Sequence, residues 1–156
     1  MTIVRVLRGH DLFQALNVDQ INAIAKFSSV KRLKAGEVVF RYNDLGGHVY
    51  MLLAGAVDLR LPASPQEISL GVSKIERGEL FGLSPLLDSP RYTATAQCSE
   101  DSEILAIEAK PFRNALKDNC LIGFEVMNRV AHIYFTRYID VLKSLQGIVG
   151  QISLIR

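Results

Sequence analysis

The sequence predicts a mainly β domain, an antiparallel sandwich or barrel with helices at both ends of the chain. Two observations carry this. Between Lys31 and Ile107, short runs with period-two alternation follow one another at close spacing, with no long helical pattern between them. Beyond Pro111 the apolar period lengthens to a sustained heptad spacing. With 156 residues and 49% apolar content, the chain is long enough for one domain with a sizeable core and too short for two ordinary ones. The expected divisions are an N-terminal helical segment at 1–30, a strand-rich body at 31–110, C-terminal helices at 111–149 and a tail at 150–156.

Residues 11–27 carry helix punctuation. Asp11 precedes Leu12 and Phe13, and Asn17 with Gln20 three residues later has capping-box spacing ahead of Ile21, Ile24 and Ala25. Two short helices are expected there. Glu37–Arg41 and His48–Leu53 then read as strands, and Val57, Leu59 and Leu61 alternate with Asp58 and Arg60 as a half-buried strand does. Ile68, Leu70 and Val72 alternate again, and Thr93–Gln97 and Glu103–Ile107 complete about seven short strands. Turn signals separate them at Ala35-Gly36, Asn43 to Gly47, Ala54-Gly55 and Pro62 to Pro65.

The stretch Gly78–Ala96 reads strand, glycine turn, one helical turn, loop, arginine, strand. Backbone N–H groups freed at a short helix start, followed by an arginine, suit a phosphate. The same spacing also describes an ordinary turn between two strands with Arg91 in solvent.

Pro111 suits the first residue of a helix, where the N–H has no intrahelical partner, and Asp118-Asn119 ends or re-caps that helix. Met127, Ala131, Tyr134, Tyr138, Val141, Leu145, Ile148 and Ile152 follow at spacings 4, 3, 4, 3, 4, 3, 4, with Val126, Val130 and Ile133 as a second stripe. Two apolar stripes are more than a small domain covers. A homodimer is therefore expected through Met127, Tyr134, Tyr138, Val141 and Leu145, on a helix from about Asn119 to Leu145. The alternative is a helix folded back along its own domain. Gly147 and Gly150 weaken the last turns, so the helix is expected to end near Leu145.

Lys and Arg number 18 against 16 Asp and Glu, with no run of like charge, so neither direct nucleic-acid binding nor a membrane surface is expected. The N-terminus is no signal peptide, no apolar run nears bilayer length, and Cys98 and Cys120 stand far apart; the chain reads as a reduced cytoplasmic protein. His10, His48 and His132 lie in three different segments, so no metal site is expected. Cys98 reads as a buried core thiol and Ser84 lacks the small-residue elbow of a hydrolase. No catalytic residue stands out, and no enzyme is expected.

Lys34-Ala35-Gly36-Glu37-Val38-Val39-Phe40, Asp44 to Gly46, Tyr50 to Val57, Gly78 to Gly82, and Pro90-Arg91 with Thr93-Ala94-Thr95 come in a telling order and spacing. Together they resemble the cyclic-nucleotide-binding domain of catabolite-activator and FNR-like regulators, of the regulatory subunit of cyclic-AMP-dependent kinase and of nucleotide-gated channels. The resemblance runs from about Leu12 to Leu145. It implies an eight-stranded antiparallel double-stranded β-helix, the jelly-roll β-roll, with N-terminal helices and two C-terminal ones, the longer being a dimerising helix. It also implies a regulatory domain that binds a cyclic nucleotide, cyclic AMP or cyclic GMP, or another phosphate-bearing ligand, and signals through the dimer helix. The implied ligand residues are Gly82, Leu83, Ser84, Arg91, Tyr92 and Thr93. No cofactor beyond that ligand is implied. Transcription factors of the family continue into a helix-turn-helix domain, and nothing after Leu145 is long enough for one, so a free-standing domain is expected.

Three positions depart from the family pattern. Leu83 stands where nucleotide-binding members have a glutamate for the ribose, and Pro85 has no N–H to offer a phosphate. The usual place of the phosphate arginine, ten residues after Gly82, is Tyr92, with Arg91 one residue early. Losing a hydrogen bond to a carboxylate costs roughly 1.5–3 kcal/mol, about ten- to a hundredfold in affinity. Arg91 decides more. A shortened loop with Tyr92 as a bulge turns Arg91 inward, whereas a kept register turns it outward. The alternative function is a ligand-free structural or protein-interaction module that retains the fold and the dimer.

Overall fold

The computed structural model describes residues 2–62 and 71–153. The chain enters through α1 (Ile3–Arg8), a 3-10 turn (Asp11–Phe13) and α2 (Val18–Lys26). Asn17 caps α2 as its spacing predicts: Asn17 Oδ1 accepts from the Gln20 N–H at 2.9 Å, and Gln20 Oε1 accepts from the Asn17 N–H at 2.8 Å. Ile21 and Ile24 share the buried face of the helix.

The strands among the described residues are β1 (Ser28–Leu33), β2 (Val38–Phe40), β3 (His48–Ala54), β4 (Val57–Arg60), β5 (Gly71–Ile75), β6 (Leu80–Phe81), β7 (Thr95–Cys98) and β8 (Ser102–Glu108). They form two four-stranded antiparallel sheets, ordered β1-β8-β3-β6 and β2-β7-β4-β5. This is the expected β-roll. The sequence does not single out β1, because it is a largely exposed edge strand that pairs with β8 alone and so carries little apolar alternation. The alternation expected at Ile68 and Leu70 lies outside the described residues.

β3 and β8 pair from His48 opposite Glu108 to Leu52 opposite Ile104, and both are buried on two faces. Val49, Met51, Leu53, Leu105 and Ile107 face the helices, where Leu7, Phe13, Ile24 and Phe112 complete one core. Tyr50, Leu52, Ile104 and Ala106 face the second sheet and pack with Phe40, Val57, Phe81 and Ala96 in another. Alternate residues of one strand point to opposite faces, so each strand feeds both cores.

α3 (Ala109–Asp118) follows β8 directly and begins two residues before Pro111, which still stands in its first turn; Asn119 Oδ1 accepts from the Ile122 N–H at 3.2 Å at the start of α4 (Cys120–Ser153). The 34 residues of α4 continue through Gly147 and Gly150 instead of ending near Leu145. Each glycine weakens a helix by about 1 kcal/mol relative to alanine, but removes no backbone hydrogen bond. Val126 and Val130 are buried in the helix-side core, as one of the two stripes should be. Met127 and Tyr134, expected on a seam toward a second copy, pack against that same core, and Val141 is also half-buried. Tyr138 and Leu145 stay exposed, and with Phe135, Leu142 and Val149 they form a stripe at spacings 3, 4, 3, 4. The cause is phase. Neighbouring residues lie about 100° apart around a helix, and the domain occupies the side that carries Val126, Val130 and Tyr134, which leaves the adjoining stripe uncovered. The side chain of Ile152 lies outside the described set. Cys98 is buried and Cys120 exposed, both as free thiols. Among the described residues no helix is long and apolar enough to cross a membrane.

Two measurements test this architecture. Gly55 joins β3 to β4 at φ +89°, and a Cβ there would crowd Ser102 Oγ and stand 2.5 Å from the Asp101 carbonyl oxygen. Gly36 has a similar φ of +87° with open space around it. In urea denaturation Gly36→Ala should cost about 1–2 kcal/mol for its left-handed backbone. Gly55→Ala should cost distinctly more, because the backbone at Asp101 and Ser102 must also move.

His10 supplies the second test. Its Nδ1 accepts from the Leu12 N–H at 3.0 Å, and burial lowers its pKa below 6.5, opposed by Asp11 and reinforced by Arg129. The folded state therefore binds fewer protons than the unfolded one. The stabilisation is full above the unfolded pKa and is lost as pH falls through the lowered folded value. His10→Asn keeps a capping acceptor and should flatten the fall in stability between about pH 7 and 5.

Candidate functional site

After β6 the chain turns at Gly82, at φ +64°, where a Cβ would stand 2.8 Å from the Phe40 ring and 3.0 Å from Tyr50. One 3-10 turn, Ser84–Leu86, follows. The returning segment then pairs with residues 43–46. The Gly46 N–H donates to the Pro90 carbonyl at 2.8 Å, the Tyr92 N–H to Asp44 at 3.0 Å, and the Asn43 N–H to Tyr92 at 2.9 Å. This ladder sets the register, and successive side chains on it take opposite faces.

Tyr92 takes the inner face and is 4% exposed. Its ring stacks on Phe40 with centroids 3.9 Å apart. Its hydroxyl donates to the His48 carbonyl at 2.7 Å and accepts from the His48 N–H at 3.2 Å. Arg91 takes the outer face, exposed, with Nη1 donating to the Asn43 carbonyl at 2.7 Å. Burial and the neighbouring Tyr92 together push the Tyr50 hydroxyl well above its ordinary pKa, so the aromatic group stays neutral.

A cavity of about 280 Å³ opens beside this corner. Gly82, Leu83, Ser84, Tyr92 and Thr93 line it. Arg91, the sixth expected ligand residue, is not part of the lining; the kept register turns it to solvent. Leu83 is 1% exposed and packs into the helix-side core. Ser84 is 3% exposed, and its hydroxyl has no hydrogen-bond partner among the described residues.

The opposite wall is α4, through Tyr134, Arg137, Tyr138 and Val141. The expected ligand set does not contain Arg137. Its signal is in the sequence nonetheless: Val130, Tyr134, Arg137 and Val141 stand at spacings 4, 3, 4, so a cation interrupts an apolar stripe. The guanidinium donates to the Leu80 carbonyl, and burial lowers its pKa, opposed by Glu79. None of the ion pairs among the described residues includes it. A larger groove, about 1090 Å³, lies between the Gly9–Gln14 segment and α4. Asp11, Lys74, Glu79 and Arg129 give that groove charges of both signs.

A β-roll whose glycine turn faces a C-terminal helix across a cavity defines a regulatory-domain architecture. The profile of the cyclic nucleotide-binding domain matches residues 30–119, and the chain belongs to that family. It is 31% identical over 102 residues to the cyclic AMP receptor protein of Thermus thermophilus, across 65% of this chain and 46% of that protein. The chain spans less than half the length of the curated relatives it matches. Among solved structures, a proposed cyclic nucleotide-binding protein from Geobacter metallireducens superposes with a TM-score of 0.77 at 26% identity, covering 88% of this chain and 99% of that one. The regulatory domain of Toxoplasma gondii PKA, solved with cAMP, shares the fold at a TM-score of 0.70 and 16% identity, covering 86% of this chain and 49% of that one.

Tyr92→Phe keeps the stack on Phe40 and deletes the hydroxyl that serves both polar groups of His48. Leaving such groups unpaired should lower the unfolding free energy by about 1–3 kcal/mol, read from the urea midpoint.

Proposed function

We propose that this domain is a ligand-sensing regulator: a small molecule enters the cavity beside Gly82, Leu83, Ser84, Tyr92 and Thr93 and alters the packing of α4, and with it a homodimer. The observation that supports this is the double role of α4. Tyr134, Arg137, Tyr138 and Val141 form a wall of the cavity, while Phe135, Tyr138, Leu142 and Leu145 of the same turns form the exposed stripe. Tyr138 belongs to both. A ligand that prefers one packing of α4 shifts the population toward it, by no more than its difference in affinity for the two states. Cyclic AMP, cyclic GMP or another phosphate-bearing compound is the family's ligand class, and here it would bind without the carboxylate that Leu83 replaces.

A second reading has its own support. Leu83 and Tyr92 fill the ribose–phosphate corner with buried bulk and Arg91 stands in solvent, as a protein-interaction module without a ligand would have it.

Thermal unfolding with millimolar cyclic AMP, cyclic GMP and cyclic di-GMP separates the two readings, with sedimentation run in parallel. A ligand at a hundred times its dissociation constant adds about 2.7 kcal/mol, roughly 5–10 °C for a domain of this size. The sensing reading expects a shift that survives Arg91→Ala and disappears when Ala94→Phe fills the cavity. It also expects a dimer that Leu142→Lys with Leu145→Lys dissociates. A dimer with no shift for any nucleotide removes the nucleotide as ligand, and one that no small anion shifts favours the interaction module.

A further inference from the structure

We infer that the cavity is built for a small hydrophobic carboxylate, its charge received by Arg137 of α4 and the Ser84 hydroxyl in place of the loop arginine. The inference rests on the ligand-sensing reading and names the chemistry that the pocket selects.

Three features converge on it. Arg137 reaches the cavity from a half-buried position and, besides its bond to the Leu80 carbonyl, none of its donors has a protein partner among the described residues. Glu79 acts on this charge without forming an ion pair with it, so an arginine removed from bulk water still lacks a direct anionic partner, and pairing with one would offset part of its desolvation. Ser84 is the second feature. A serine 3% exposed whose hydroxyl is unpaired among the described residues carries an unmet hydrogen-bonding demand, and it lines the same cavity. A carboxylate answers both groups. It accepts from the guanidinium fork and from a hydroxyl at once.

The third feature is the remaining wall. Phe40, Leu59, Leu83, Tyr92 and Val141 give the ligand body aromatic faces and branched aliphatics. At about 30 Å³ per water, 280 Å³ holds roughly nine waters, so a body of about that many non-hydrogen atoms fits. A cyclic phosphodiester on a ribose would set its remaining hydroxyl against Leu83 and its charge beside the Tyr92 ring. An aryl or medium-chain acid sets no polar group there.

The location of the charge carries the consequence. Arg137 is part of α4, so an anion on its guanidinium acts directly on the helix that bears the exposed stripe. Competition with the Leu80 carbonyl for the same fork would link occupancy to the contact between α4 and β6.

The probes are 3-phenylpropionate and octanoate, with 3-phenylpropionamide and octanamide as neutral partners of equal shape, and cyclic AMP for comparison. Each is titrated against the full chain by calorimetry and by thermal unfolding. Both acids should bind and raise Tm, and their neutral partners should bind at least about tenfold more weakly, the loss of a charge-assisted hydrogen bond. Arg137→Gln should weaken the acids about 10- to 100-fold. Ser84→Ala should weaken them less, and Arg137→Lys, which keeps the charge without the fork, should fall between wild type and Arg137→Gln. If Arg137→Gln fails to fold, the Lys and Ala variants carry the test.

Equal binding of acid and neutral partner overturns the charge assignment while leaving the sensing reading in place. Binding by cyclic AMP alone does the same. Acid binding unchanged in both Arg137→Lys and Ser84→Ala also overturns it, because the anion then sits elsewhere. No binding by either acid overturns it outright. The sensing reading falls only if the three cyclic nucleotides fail as well.

Discussion

Burial of β3 and β8 on both faces is the constraint from which the rest of the molecule follows. A strand with one wet face alternates apolar and polar residues; His48–Ala54 instead reads as a nearly continuous apolar run, because odd and even positions serve different cores. One face must then be covered by helices and the other by a second sheet. α1, α2, α3 and the first turns of α4 take the former task, and β2, β4, β5 and β7 the latter. Where the roll opens beside Gly82, α4 has already been laid across the helix-side core and forms a wall of the cavity. Position and role of the long helix are both consequences of covering that sheet.

The chemistry of the cavity turns on one ring. Tyr92 satisfies the carbonyl and the N–H of His48 and stacks on Phe40, which itself stacks with Tyr50 and Phe81. A ring held by two hydrogen bonds and by close stacking excludes the shifted register in which Arg91 would enter. The cavity thereby loses a loop cation and keeps a helical one, Arg137. A charge on the loop would act on the helix only through intermediate packing. In the sensing reading proposed above, a charge on α4 itself would lie on the element whose packing responds, so that the ligand contact and the two-state element would coincide.

Much of the fold was legible in the residues. The Asn17–Gln20 capping box, the short apolar runs of β2, β3 and β8, the alternation of β4, the helix punctuation at Asn119 and the heptad spacing beyond it all reflect local chemistry, which spacing reports directly. β1 was not, because an exposed edge strand owes its existence to the partner that pairs with it. The length of α4 was underestimated, since glycine propensity is a small cost that a long helix absorbs.

The site divides along the same line. By itself the sequence determined the family, the order of turns, the glycine turn at Gly82, the replacement of a carboxylate by Leu83 and the presence of two apolar stripes on the last helix. Those are statements about which residue types occur at which spacing, and spacing survives without coordinates. Only the tertiary structure decided that Tyr92 points in and Arg91 out, that Met127 and Tyr134 belong to their own core, and that Arg137 faces Ser84's cavity from across the roll. Each of these depends on register or helical phase relative to a partner far away in the chain. A shift of one residue exchanges the faces of a strand and turns a helix by about 100°, and neither leaves a mark in the local sequence.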